Sequence, residues 1–204
     1  PSLLGPSGLW GSRSGSGRQS VAFEPSREQL RLGPEHPRGE LVLTAQDPFG
    51  LRVSETLLFE SGDFRIELIL RLENRHSVPQ SVELFLPWRT QKEWPKEQGE
   101  KFQGQRPTRV VSLSNGQVHR VELDAAKESS VDGQWIGLES EWYLSAIVPK
   151  TTGFRLVIAP KEDGAVEIGV KAAPPLLPPG GSWEGRVLYY VGPKEYSRLK
   201  ALGV

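Results

Sequence analysis

Asp63-Phe64-Arg65-Ile66-Glu67-Leu68-Ile69-Leu70-Arg71-Leu72-Glu73 is the stretch on which the fold turns. Phe64, Ile66, Leu68, Leu70 and Leu72 occupy alternate positions, with Asp63, Arg65, Glu67, Arg71 and Glu73 between them and only Ile69 breaking the pattern. Side chains of an extended chain point alternately to opposite faces, so this spacing describes a strand with one dry face and one wet face. Just upstream, Leu51, Val53, Leu57 and Phe59 mark a second strand, and Ser61-Gly62 supplies the flexible turn that returns the chain as a hairpin.

The same reading extends outward in both directions. Asn115-Gly116 is the strongest turn signal, because a type I′ hairpin needs positive φ at both central residues. It joins Arg109–Leu113 to Val118–Leu123. Asp163-Gly164 sits in the same way between Phe154, Leu156, Ile158 and Val166, Ile168, Val170. Further strands are expected at Val21–Phe23, Glu40–Ala45, Gln80–Leu86, Gln134–Glu139, Trp142–Val148 and Gly185–Val191. No helical periodicity interrupts them, which excludes an alternating β/α architecture. The fold class predicted is all-β: a large antiparallel β-sandwich with a short C-terminal α-helix.

The two ends and one internal segment differ in character. Residues 1–18 are Gly- and Ser-rich and read as a flexible N-terminal arm, with Leu3, Leu4 and Trp10 as the groups able to pin it to the sandwich. The sandwich itself is expected over residues 19–191. Residues 192–204 begin Gly192-Pro193 and continue through Lys194, Glu195, Tyr196, Ser197, Arg198, Leu199, Lys200, Ala201 and Leu202 to Gly203, placing Pro at the first helical position and Gly just past the end. Tyr196, Leu199 and Leu202 fall on one side of that helix, which is too short to be stable alone and must pack on the sandwich or continue into a further structure. Between Trp88 and Thr108 the chain is polar and rich in Pro and Gly, a long loop carrying Trp88, Trp94 and Phe102. Those aromatics either form a docking patch or fold back to anchor the loop.

Composition narrows the function. The 204 residues hold 25 Lys plus Arg and 25 Asp plus Glu, so the basic excess that draws a protein to a polyanion is missing and nucleic acid is not an expected partner. Apolar runs such as Tyr143–Val148 are far shorter than the roughly 18 residues that cross a bilayer as a helix, so no membrane span is expected. With no Cys there is no disulfide, thiolate metal site or cysteine nucleophile. The chain begins at Pro1 and contains no Met, which reads as a processed or excised piece of a larger product. Having only two Asn and neither Cys nor Met fits a heat-adapted source or a GC-rich genome.

Catalytic constellations are sparse. His36, His76 and His119 are the only histidines, and no pair has metal-ligand spacing. Glu139 and Glu141 flank Ser140, but alternation places both on one solvated strand face beside Trp142. No nucleophile elbow or phosphate-binding Gly loop occurs. The expectation is a protein that is not an enzyme and uses no cofactor or metal.

Several motifs together carry a resemblance. Phe59-Glu60-Ser61-Gly62-Asp63-Phe64 leads into an alternating strand that ends at Glu73-Asn74; Trp135-Ile136-Gly137 precedes Trp142-Tyr143-Leu144-Ser145-Ala146-Ile147-Val148-Pro149. Leu177-Pro178-Pro179-Gly180 precedes Tyr189-Tyr190-Val191-Gly192-Pro193-Lys194-Glu195-Tyr196, with Leu199, Leu202 and Gly203 following. From about Val21 to Gly203 the sequence resembles the large periplasmic domain of the YidC, Oxa1 and Alb3 family of membrane protein insertases, in its Gram-negative form. The resemblance implies a β-supersandwich of the galactose-mutarotase-like type on the periplasmic side of the bacterial inner membrane. It implies a non-catalytic scaffold that docks the Sec translocon through SecD–SecF, while nascent membrane proteins meet a transmembrane bundle outside this chain. Trp135, Trp142, Tyr143 and Pro149 would form the motif's core, and Gly192, Pro193, Tyr196 and Leu199 would be the joint between helix and sandwich.

Two other readings stay open on sequence alone. A carbohydrate-binding sandwich would use Trp88, Trp94, Trp183 and Phe102 as stacking platforms, although no His cluster supports mutarotase chemistry. An adhesion or assembly module would dock partners through edge strands.

Overall fold

The computed structural model describes residues 10–12, 19–20, 22–46, 50–89, 109–121, 128–160 and 165–202. In chain order the strands are β1 (Trp10–Ser12), β2 (Gln19–Ser20), β3 (Glu24–Pro25), β4 (Arg38–Gln46), β5 (Leu51–Glu60), β6 (Arg65–Asn74), β7 (Glu83–Arg89) and β8 (Arg109–Ser114). They continue with β9 (Gln117–Arg120), β10 (Ser129–Val131), β11 (Trp135–Glu139), β12 (Tyr143–Pro149), β13 (Phe154–Pro160), β14 (Val166–Ala172) and β15 (Ser182–Pro193), and helix α1 spans Tyr196–Leu202. A nine-stranded sheet runs β3-β4-β5-β6-β15-β12-β11-β8-β9, and a six-stranded sheet runs β10-β13-β14-β7-β1-β2. Every ladder is antiparallel, which is the large sandwich that period-two patterning predicts.

Strand β6 behaves as its sequence dictates. Leu68, Leu70 and Leu72 are fully buried in the main core, facing Leu84, Leu86, Leu156, Ile158, Ile168 and Val170 of the six-stranded sheet, while Arg71 is exposed. Each buried Leu contributes roughly 1.5–3 kcal/mol of transfer free energy. The β5–β6 register, Val53↔Leu72 and Leu57↔Leu68, brings the apolar positions of both arms onto one face. At the β8–β9 turn Asn115 has φ 53° and Gly116 φ 74°, the two positive values a type I′ hairpin demands, and Ser114↔Gln117 closes it. Strand β9 forms one edge of the large sheet and all four of its residues are exposed.

At one end of the sandwich, fully buried Asn74 ties two loops together. Its Nδ2 donates to the carbonyls of Val78 and Leu177, both at 2.9 Å, and its Oδ1 accepts from the His76 amide at 2.9 Å. Its backbone exchanges hydrogen bonds with Gly180 and Gly181.

Three expectations change. Trp88 is not in a loop: it lies in β7 opposite Ile168, is buried, and packs edge-on against Tyr189 with ring centroids 5.7 Å apart. Pro193 is not the first residue of the helix, because β15 runs through it paired with Tyr143, and α1 starts at Tyr196. The strand expected at Val21–Phe23 is displaced to Glu24–Pro25, with Phe23 packed against the main core. Within the arm, the segment carrying Trp10 is held on the sandwich, as expected of it: Trp10–Ser12 forms a strand on β7, in register Trp10↔Phe85. Leu3 and Leu4, the Asp163-Gly164 turn, Gly203, and the loop residues Trp94 and Phe102 lie outside the described residues.

Candidate docking surface at the helix–sandwich joint

One quarter of the nine-stranded sheet is apolar on both faces. Ile136, Ile147 and Tyr189 face the main core, so their neighbours Trp135, Ala146, Val148 and Tyr190 face outward. There, with Val111, Leu113 and Leu144, they form a second buried cluster, and Leu199 of α1 packs against it. This explains the near-continuous run Leu144-Ser145-Ala146-Ile147-Val148, since a strand covered on both sides loses its polar alternation.

The chain passes from β15 to α1 through a set of interlocking contacts. A Cβ at Gly192 would lie 2.6 Å from Cγ of Phe64, so only glycine lets that ring seat against the strand. The Tyr190 hydroxyl donates to the Pro193 carbonyl at 2.5 Å, and burial pushes that hydroxyl's pKa up. The Lys194 amide donates to the Trp142 carbonyl at 2.8 Å, while Lys194 Nζ meets Glu139 Oε1, also at 2.8 Å. In α1, Arg198 donates to Glu195 Oε2 at 2.6 Å and places its guanidinium 5.0 Å from the centre of the Phe64 ring, which itself stands edge-on to Tyr190 at 6.4 Å. Cation–π and aromatic contacts of this kind contribute roughly 0.5–1.5 kcal/mol each.

An open groove of about 370 Å³ lies between α1 and the β5–β6 turn, lined by Asp63, Arg65, Tyr190, Ser197 and Arg198. The side-chain hydrogen bond from Arg65 holds the Asp63 carboxyl below its ordinary range. Within the groove Asp63 pairs with Arg65, and Arg198 pairs with Glu195.

The motif residues divide into two groups. Trp135 is fully buried in the second cluster and Pro149 ends β12 opposite Val187, whereas Trp142 and Tyr143 are 70% and 62% exposed and do not form a core. Of the joint residues, Gly192, Pro193 and Leu199 make the contacts described, but Tyr196 is 79% exposed and projects away from the sandwich. Leu199 meets the second cluster, whereas Tyr196, at the first position of α1, has no such packing partner. Phe64, Tyr190 and Arg198 were missed as joint residues; the Glu195–Arg198 spacing was visible in sequence, but the seat against Phe64 depends on a register across more than a hundred residues.

The other candidates disperse. Glu139 is engaged by Lys194, His76 Nδ1 lies 3.3 Å from the Val78 amide, and His119 Nε2 lies 3.3 Å from the Ser114 carbonyl. Among the described residues no three His, Cys, Asp or Glu could hold a metal ion. Of the proposed sugar platforms, Trp88 is buried and Trp183 is packed on Phe154 at 6.0 Å.

Two packed antiparallel sheets of this size, closed by a helix on an outer apolar face, define a β-supersandwich domain. The chain belongs to the family of YidC periplasmic domains, whose model matches residues 2–204. It is 25% identical over 158 residues to the membrane protein insertase YidC of Syntrophus aciditrophicus, covering 77% of this chain and 29% of that protein. To the membrane protein insertase YidC of Shewanella sp. (strain W3-18-1) it is 23% identical over 212 residues, covering 98% and 37%. The chain therefore spans about a third of the length of these relatives. Its fold is similar to part of the alpha-galactosidase from Lactobacillus brevis, at TM-score 0.64 and 10% identity over 97% of this chain and 30% of that one, a likeness of fold alone. The domain is thus an insertase-associated one, and no helix among the described residues is long and apolar enough to cross a membrane.

Proposed function

We propose that this chain is the non-catalytic periplasmic scaffold of a YidC-type inner-membrane insertase, docking the Sec translocon and SecD–SecF on part of its surface and orienting the membrane bundle that receives nascent membrane proteins. The observation that carries the orienting role is the joint: β15, bonded on both sides, passes within three residues into α1, and α1 is held by Leu199, Arg198 and the Gly192–Phe64 seat. A connection held this way transmits the attitude of the sandwich to whatever follows it. Family membership supports the partners.

The test is to place Gly192→Val or Leu199→Asp in the full-length insertase and measure insertion of a Sec-dependent substrate. Insertion falls several-fold while the sandwich stays folded and the protein remains in the membrane. Normal insertion, with α1 shown by amide exchange to be released, removes the orienting role. Photo-crosslinking from the sandwich surface to SecD–SecF checks the docking role, and an absence of crosslinks from every face removes it.

A further inference from the structure

The three most exposed aromatic side chains among the described residues are Trp142, Tyr143 and Tyr196, and they gather at one backbone junction. Trp142 accepts at its carbonyl from the Lys194 amide, Tyr143 is in register with Pro193, and Tyr196 opens α1 two residues beyond Lys194. The turn that presents them is fixed: Ser140 Oγ accepts from the Tyr143 amide at 3.1 Å, and the Ser140 amide donates to the Tyr143 carbonyl at 2.9 Å. Of the other exposed large apolar residues, Phe64 lies at the same junction under Arg198, while Val78 and Leu176 sit beside the Asn74 latch and Val118 on the edge strand β9.

Charge at the junction is nearly balanced. Lys194 pairs with Glu139 and Arg198 with Glu195; beside them are Glu141, Arg109 in register with Glu139, and Lys200, whose ammonium lies 6.0 Å from the Tyr196 ring centre. A balanced corner of this kind has little Coulombic pull on an acidic or basic partner. What it offers is Trp and Tyr, side chains with an apolar body and a polar tip, the types enriched where a membrane meets water. The relatives this chain is similar to are named membrane protein insertases.

We infer that Trp142, Tyr143 and Tyr196 form an interfacial foot that partitions into the headgroup layer of a zwitterionic phospholipid membrane. This rests on the reading that the joint faces the membrane, and it adds a direct contact with lipid to the covalent tether. Partition driven by aromatic transfer rather than charge is insensitive to salt and similar for neutral and anionic bilayers.

The experiment uses the 204-residue chain and vesicles of phosphatidylcholine, alone or mixed with phosphatidylglycerol, read by co-sedimentation and by quenching of Trp fluorescence with brominated phosphatidylcholine. The parent chain sediments with both vesicle types, and its quenching drops in Trp142→Phe, which assigns the signal among the six Trp. Returning roughly 60 Å² of indole surface to water corresponds to about a tenfold lower partition coefficient for Trp142→Ala. A Trp142→Ala, Tyr143→Ser, Tyr196→Ser variant with unchanged circular dichroism loses association, and Leu176→Ser at the far end keeps it. Failure of the parent to associate, equal binding by the triple variant, or binding only to anionic vesicles at low salt overturns the inference. Vesicle partition reports on the foot and insertion by Gly192→Val on the joint, so either idea fails without the other.

Discussion

At the residue scale, Asn74 is a buried polar side chain that holds segments far apart in sequence. Both of its side-chain donors and its carbonyl are used, and one of the acceptors belongs to Leu177, 103 residues away. Asn74→Ala removes the side-chain donor to the Val78 carbonyl, leaves the Leu177 carbonyl only its bond from the Gln80 amide, takes the acceptor from the His76 amide, and is expected to cost about 2–4 kcal/mol in urea unfolding. Asn74→Asp is expected to cost more, because it puts a carboxylate against those same carbonyls. Sequence showed Asn74 only as the end of β6; a partner that distant has no local signature. Leu70 and Leu176 form a contrasting pair, one fully buried and the other exposed. Leu70→Ala is expected to cost about 2–5 kcal/mol, and Leu176→Ala about 0.5 or less. Asp63 gives a pH-dependent case. Its carboxyl sits below the ordinary value of 3.8 because Arg65 hydrogen-bonds it, so its contribution is present above that value and is lost as pH falls through the lower folded one. Asp63→Asn should therefore lower the melting temperature at neutral pH, and the difference from the parent should shrink as pH falls through the lowered folded value.

At the scale of elements, hairpins were the most legible feature because both arms and the turn are consecutive. The Asn115-Gly116 turn was readable down to its φ values. Gly116 has open space around it, so Gly116→Val tests backbone strain alone and is expected to cost about 1 kcal/mol by denaturant unfolding. Strand β7 was cut short because Pro87 reads as a terminator. Among the described residues β1 pairs with Glu83–Phe85 and not with Pro87, and the strand continues past that proline, paired with Gly169, to bury Trp88 against Tyr189. The helix was legible as an element but not in its start: Pro193 is as compatible with a strand end as with a first helical turn. Nor was Tyr196 separable from Leu199, since both repeat at helical spacing and only the packing partner distinguishes them.

At the scale of the whole molecule, the class was written in the alternation, and the strand order was not. β15 inserts between β6 and β12, and β14 pairs with β7, so β15–β6 and β14–β7 join segments many tens of residues apart. Such pairings carry a large loop-closure cost before any contact forms, so refolding after dilution from urea is expected on the scale of milliseconds to seconds or slower. Both sheets share one main core, from Leu51 to Tyr189, so unfolding followed by Trp fluorescence and by far-ultraviolet circular dichroism is expected to coincide; two separated transitions would show that the sheets come apart independently. The placement of β15 has a mechanical consequence. It is flanked along nearly its whole length by antiparallel neighbours, in register with β6 from Ser182 to Tyr190 and with β12 from Val187 to Pro193. A pull applied through α1 runs along the strand axis and loads those two ladders in shear, so their bonds share the tension instead of parting one by one. Whatever tugs on the chain beyond this helix would meet a strap woven through the middle of the sheet.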